Sequence, residues 1–205
     1  MAGIIQVAGV MDRAEAALLV DAGVDWLGFP FRLAYHAEDL AEAEAGAIAA
    51  LCDRLGVWGV QLHGAVAAAE LARLRRLRPG LHVLKSLIVR PGTPAGELEA
   101  AVAASAPWVD GYLTDTLDPA TGATGATGLA HDWAVDRRLV TAAPHPVILA
   151  GGLRPDNVRA AIAAVGPAGV DVHTGIEGPD GRKDPERTRR FVAEARAGFA
   201  LATGP

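Results

Sequence analysis

Short runs of β-branched and aromatic residues alternate along the chain with longer stretches in which Leu, Ala and Val recur at helical spacing among Glu and Arg. The runs predict strands at Ile4–Ala8, Trp26–Phe31, Val57–Leu62, Val83–Val89, Val109–Thr114, Val147–Ala150 and Val170–His173. The stretches between them predict helices at Asp12–Ala22, Glu38–Leu55, Val66–Leu77, Pro94–Ala104, Asp136–Ala143, Pro155–Val165 and Pro185–Phe199. Several start on a cap or a first-turn proline, as at Arg154-Pro155-Asp156 and Asp184-Pro185-Glu186. An eighth, short strand fits His131–Val135. Strands that alternate with helices in this way form a parallel sheet, either open or closed into a barrel.

The polar positions favour the barrel. Gln6, Gln61, His63, Lys85, Asp115, Asp171 and His173 are all read as falling near the C-terminal ends of their strands, the end at which the loops of a (β/α) barrel build an active site. The expected fold is therefore α/β, a TIM-type (β/α) barrel, in one domain over residues 1–205. The repeat Asp118-Pro119-Ala120-Thr121-Gly122-Ala123-Thr124-Gly125-Ala126-Thr127-Gly128 reads equally as a flexible connector or as an active-site lid.

Composition narrows the function classes. A chain of 205 residues can bury one good core, and a net charge of −5 argues against a nucleic-acid surface. The cluster Arg73, Arg75, Arg76 and Arg78 reads as the solvated face of a helix. A single cysteine, Cys52, allows neither an intrachain disulfide nor a multi-cysteine metal site, and no apolar run is long enough to cross a bilayer. The expectation is a cytoplasmic enzyme with no nucleic-acid or membrane partner and no cofactor. His63, His173 and Asp115 have side chains that suit a divalent metal, but their spacing does not demand one, so no metal is expected.

Two segments carry the clearest chemistry. Val147-Ile148-Leu149-Ala150-Gly151-Gly152-Leu153 is a buried strand that runs into two glycines ahead of a helix, and Val170-Asp171-Val172-His173-Thr174-Gly175 is a strand followed by Thr and Gly. Glycine lets backbone N–H groups approach an anion, and a helix start adds partial positive charge. Gly151, Gly152, Thr174 and Gly175 are the expected phosphate cradle.

These segments, with Gln61-Leu62-His63-Gly64, Leu113-Thr114-Asp115, Gly125-Ala126-Thr127-Gly128 ahead of Asp132-Trp133, and Gly181-Arg182-Lys183-Asp184, form an ordered set that resembles the phosphoribosylanthranilate isomerase family. The resemblance covers most of the chain and is densest from Val57 onward. It implies a (β/α)₈ barrel that converts an aminoaldose phosphate into an aminoketose phosphate in tryptophan biosynthesis, with Asp115 as the general acid that protonates the ring oxygen.

The chain departs from that pattern in three places. Where the family carries Lys-Ile-Cys-Gly at the end of its first strand, with the cysteine as base, this chain reads Gln6-Val7-Ala8-Gly9. Where the family has a Ser-Pro-Arg element that grips anthranilate, the chain reads Phe29-Pro30-Phe31-Arg32, with His36 nearby. Between Phe31 and Val57, where the family fits helix, strand and helix, there is room for one helix only, so one βα unit is missing. The sequence makes this a divergent member without the catalytic cysteine. The base falls to His173, where the family usually has serine, or to His36. His173 is also a candidate phosphate ligand. Arg32, His63 and Lys85 are candidates for contacts to the rest of the substrate.

Two other functions fit the same residues: a lyase or aldolase reaction on a phosphosugar, with Lys85 resembling a Schiff-base lysine, and a catalytically silent phosphosugar-binding protein. A missing unit would also leave the edges of Trp26–Phe31 and Val57–Leu62 open, and a second copy of the chain covering them would make a homodimer.

Overall fold

The computed structural model describes residues 3–29, 45–63, 66–90, 94–116 and 132–202. Strands β1 (Ile4–Val7), β2 (Trp26–Leu27), β3 (Gly59–Leu62), β4 (His82–Val89), β5 (Gly111–Thr116), β6 (Val147–Leu149) and β7 (Gly169–Val172) form one sheet in the order β2-β1-β7-β6-β5-β4-β3. Every pair is parallel. Helices α1 (Arg13–Asp21), α2 (Ala45–Leu55), α3 (Ala68–Leu77), α4 (Ala95–Ser105), α5 (Trp133–Ala142), α6 (Val158–Val165) and α7 (Pro185–Ala202) fall between and after the strands. The α/β barrel-type architecture expected from the alternation is present.

Strand alternation sorts the side chains into layers. Val7, Leu149, Val170 and Val172 face outward and pack with Leu19, Ile162, Phe191 and Phe199 from α1, α6 and α7. Val83, Leu87, Val89 and Tyr112 do the same with Ile48, Leu71, Leu74, Leu98 and Leu139 from α2 to α5. The opposite parity faces inward, where Leu84, Leu113, Ile148 and Ala150 form a smaller cluster that Trp26 packs against.

The sheet curls until its two end strands approach each other. Among the described residues no backbone pairing joins β2 to β3, and side chains bridge them instead. The Trp26 ring meets the Trp58 ring edge-on, with centroids 5.1 Å apart, and His82 lies 5.5 Å from Trp26 and 5.3 Å from Trp58. Higher in the barrel, Gln6 Nε2 of β1 donates to Gln61 Oε1 of β3 at 3.0 Å. Where the sequence predicts open edges, the described residues form a seam of side chains.

Two carboxylates fasten the lower end of the barrel. Asp25, just before β2, accepts from Ile5 N at 2.8 Å and from Arg196 of α7. Asp110, just before β5, accepts from Val83 N at 2.7 Å and from Arg75 of α3 at 2.8 Å. Each joins two adjacent strands to a helix by charge-assisted hydrogen bonds. Burial raises the Asp110 pKa, but the hydrogen bonds from Arg75 and Val83 outweigh it and hold the carboxyl below its ordinary value.

Some expected boundaries are corrected. No strand begins at 132: Asp132 accepts from Ala134 N at 2.9 Å and caps α5, which already starts at Trp133. The helix expected from Pro155 begins at Val158, because Asn157 closes the preceding turn, accepting from Arg154 N and donating to Gly152 O. Strand β4 ends at Val89 as expected, which places Lys85 in mid-strand, four residues short of the C-terminal end it was expected to lie near. The Ala-Thr-Gly repeat and the segment after β2 lie outside the described residues.

Candidate active site

The inward positions at the C-terminal ends of the strands are polar. Gln61 Nε2 lies 2.9 Å from His63 Nε2 and donates to Ser86 Oγ of β4 at 3.2 Å. With the Gln6 contact these form a hydrogen-bonded row across β1, β3 and β4. Asp115 of β5 is buried, its Oδ1 accepts from Thr116 N at 2.9 Å, and its charge raises the pKa of Asp171. Asp171 of β7 is buried as well, and its Oδ1 has no hydrogen-bond partner. Burial first, and the Asp115 charge second, push its carboxyl up to about 7, against the opposing pull of Gln6 and Lys183.

The two glycine loops meet beside this layer. Gly151 and Gly152 have φ of +93° and +62°, a conformation that side chains other than glycine rarely adopt. Thr174, Gly175 and Ile176 form a 3₁₀ turn directly after β7. A Cβ at Gly175 would lie 1.9 Å from Leu153 O, so the second loop rests on the backbone of the first.

His173 occupies the end of β7 next to β1. The β1–β7 register pairs Val7 with Val172, and Ala8 N donates to Val172 O at 3.0 Å, which sets Ala8 level with His173 on the inner face. The imidazole lies over Gly9, where a Cβ would come within 2.0 Å of Nε2. Glu177 Oε1 is 3.3 Å from that nitrogen. Lys183, whose side chain is almost fully buried, donates to Glu177 Oε1 at 2.7 Å and to His173 O at 3.2 Å. Its backbone N donates to Oε1 of Glu15, and Glu15 Oε2 accepts from Met11 N at the start of α1. The loop after β7 is thereby tied to the loop after β1.

The site residues read from the sequence separate accordingly. Asp115, His63 and His173 occupy inner positions at strand ends, with the Gly151–Gly152 and Thr174–Gly175 loops beside them. Lys85 does not share their face. It has the parity of Val83, Leu87 and Val89 in the outer core, and its Nζ donates to Ser86 O at 3.0 Å and Leu62 O at 3.5 Å. Burial lowers its pKa to about 8. Arg32 and His36 lie outside the described residues. The sequence assigns no role to Glu177 or Lys183, although Glu177 stands four residues after His173, and it marks Asp171 as a strand-end polar position without assigning it a function.

Among the described residues no group of three or more His, Cys, Asp or Glu could hold a metal ion, and no helix is long and apolar enough to cross a membrane. Cys52 is buried in the outer core on α2, and burial raises its thiol pKa.

A parallel α/β barrel with carboxylates, imidazoles and glycine loops at its C-terminal rim belongs to the class of barrel proteins that bind small ligands at that rim. The comparisons narrow the class. The family model for N-(5'-phosphoribosyl)anthranilate (PRA) isomerase matches residues 42–194. The N-(5'-phosphoribosyl)anthranilate isomerase of Hyphomonas neptunium is 35% identical over 213 residues, covering 94% of this chain and 97% of that protein. Isomerase 2 of Methanosarcina mazei is 30% identical over 222 residues, 95% of each chain. The crystal structure of the Thermotoga maritima phosphoribosylanthranilate isomerase superposes with a TM-score of 0.74 at 24% identity, covering 95% of this chain and 99% of that one. The chain belongs to the N-(5'-phosphoribosyl)anthranilate isomerase family.

Proposed function

We propose that this protein isomerises a phosphorylated aminoaldose to the corresponding aminoketose, a reading supported by its relatives, which are named N-(5'-phosphoribosyl)anthranilate isomerases. The observation that carries the reading is the juxtaposition, at one end of the barrel, of buried Asp115 with the two packed loops Gly151–Gly152 and Thr174–Gly175. Asp115 gives its proton to the ring oxygen and opens the sugar. Gly151, Gly152, Thr174 and Gly175 hold the phosphate through backbone N–H groups and the threonine hydroxyl. His63 contacts the substrate from the end of β3, and Arg32 and His36 serve the aglycone side. The outward parity of Lys85 favours a structural role for its amine over the Schiff base of a lyase.

The protein works in the cytoplasm as a single domain and forms a homodimer through the outer surface beside the β2 and β3 edges. In support of the dimer, Trp58 and Phe29 beside those edges are exposed, and a Thermotoga maritima relative is described as dimeric.

The direct test is the loss of fluorescence of N-(5'-phosphoribosyl)anthranilate on mixing with the protein, together with thermal shifts by phosphorylated sugars. Turnover supports the reading. Absence of both turnover and any phosphosugar-induced shift refutes it.

A further inference from the structure

We infer that the imidazole of His173 is the base that removes the C2 proton, in place of a thiolate at position 8. The inference rests on the isomerase reading above. Three observations meet at this residue. The register sets His173 directly beside Ala8 on the inner face, so its side chain is the one adjacent to the space that a longer residue at position 8 would fill. Neighbouring strands lie about 4.8 Å apart, which an imidazole spans easily. The ring rests on Gly9, whose missing Cβ and φ of +76° leave it room.

The other groups at this end are less suited to the task. Ala8 accepts no proton, and Cys52 is buried in the outer layer. The Glu177 carboxylate is held by the Lys183 ammonium. Asp171 stands two residues lower on the same strand, with a carboxyl pushed up to about 7. Imidazole titrates near neutrality, so it is unprotonated often enough to act and basic enough to accept.

Glu177 is the positioning residue. A carboxylate oxygen 3.3 Å from Nε2 favours a proton on that nitrogen and leaves the ring's acceptor lone pair on Nδ1. It also stabilises the imidazolium once the second proton arrives. Among the described residues the charged groups beside the ring include Glu177 and Lys183 of the same loop, with Asp171 on the same strand, and the adjacent β1 end brings Ala8 and Gly9.

The step balances without a co-reactant. Asp115 protonates the ring oxygen, the C1–O bond breaks, and the nitrogen lone pair forms C1=N. His173 then takes the C2 proton, the C2–H electrons become C1=C2, and the C1=N π pair returns to nitrogen. Tautomerisation of the resulting enaminol moves the O2 proton to C1 and gives the ketose.

The experiment compares the parent with His173→Ser, Ala8→Cys and the double variant, using N-(5'-phosphoribosyl)anthranilate with protium or deuterium at C2, after circular dichroism has shown each to be folded. In the expected result the parent turns over with an isotope effect. His173→Ser then loses a factor of about 10² to 10⁴ in kcat with KM little changed, the range for removal of a general base, and adding Ala8→Cys restores activity. Glu177→Gln should move the acid limb of kcat to lower pH, which a purely structural role would not do. If His173→Ser retains the parent's rate, the inference is overturned and the isomerase reading stands. If the parent is inactive and Ala8→Cys alone is active, the site is right and the imidazole is not the base. If neither turns over and neither is stabilised by a phosphosugar, the reading beneath the inference fails with it.

Discussion

Asp171→Asn should make the protein progressively more stable than the parent as pH rises from 4 to 8. The parent carboxyl is held in the folded state at about 7 against an ordinary 3.8, by burial and then by the charge of Asp115. Below 3.8 both folded and unfolded chains keep the proton, and the group has no effect on stability. Between 3.8 and about 7 the unfolded chain has released the proton and the folded one has not, so folding becomes less favourable as pH rises. Above that window the whole cost remains, about 4 kcal/mol from the width of the interval. Asparagine cannot ionise, so the variant escapes the loss, while groups that do not interact with position 171 titrate equally in both proteins and cancel in the difference. For a chain of this size each kcal/mol shifts Tm by roughly 2–4 °C, so the gap between the two proteins should widen by roughly 8–16 °C across the window. Parallel thermal melts at half-unit pH intervals read this directly. A gap that stays flat would show that Asp171 ionises normally and that the barrel interior is wetter than its burial and its unpartnered Oδ1 imply. Removing the Asp115 charge, as in Asp115→Asn, should shift the window to lower pH.

Three further outcomes are expected. Gly152→Val, which forces a β-branched residue to a φ of +62°, should abolish the stabilisation of the folded protein by phosphosugars; a folded variant that binds them as well as the parent would show that the cradle lies elsewhere. Gly175→Ala brings a methyl within 1.9 Å of Leu153 O and should cost about 1–3 kcal/mol, visible as a lowered Tm; an unchanged Tm would mean that the two loops do not rest on each other. Light scattering at micromolar concentration should give twice the 21.1 kDa chain mass, and a clean monomer would rule out a subunit-covered edge.

The strand and helix sequence was legible because each element carries its own period: Val147, Ile148 and Leu149 mark a buried strand, and α7 shows its apolar stripe in Phe191, Val192, Ala195 and Phe199. The end of α5 nearest Trp133 was not, since an aromatic beside Val135 imitates a strand until the Asp132 side chain is seen to cap the turn. Lys85 misled for a related reason. The run Ser86–Val89 continues the strand beyond it, and parity then places the amine on the helix side. The adjacency of His173 and Ala8 depends on the register between two strands near opposite ends of the chain, which no local pattern encodes. The Glu177–Lys183 pair was hidden similarly, because two loop residues meet only through the fold around them.

The seam between β2 and β3 gives the barrel the mechanics of a hoop with a clasp. Elsewhere around the circumference, widening the barrel means stretching a ladder of backbone hydrogen bonds. At the seam, among the described residues, it means sliding the Trp26 ring across the edge of Trp58 against dispersion forces that fall off gently, and parting the Gln6–Gln61 hydrogen bond. Radial strain from a ligand seated at the rim would therefore collect at this one place, far along the barrel axis from the phosphate loops. The indole pair, two of the chain's four tryptophans, stands where that displacement would alter its own emission, so the clasp doubles as a built-in gauge of the barrel's breathing.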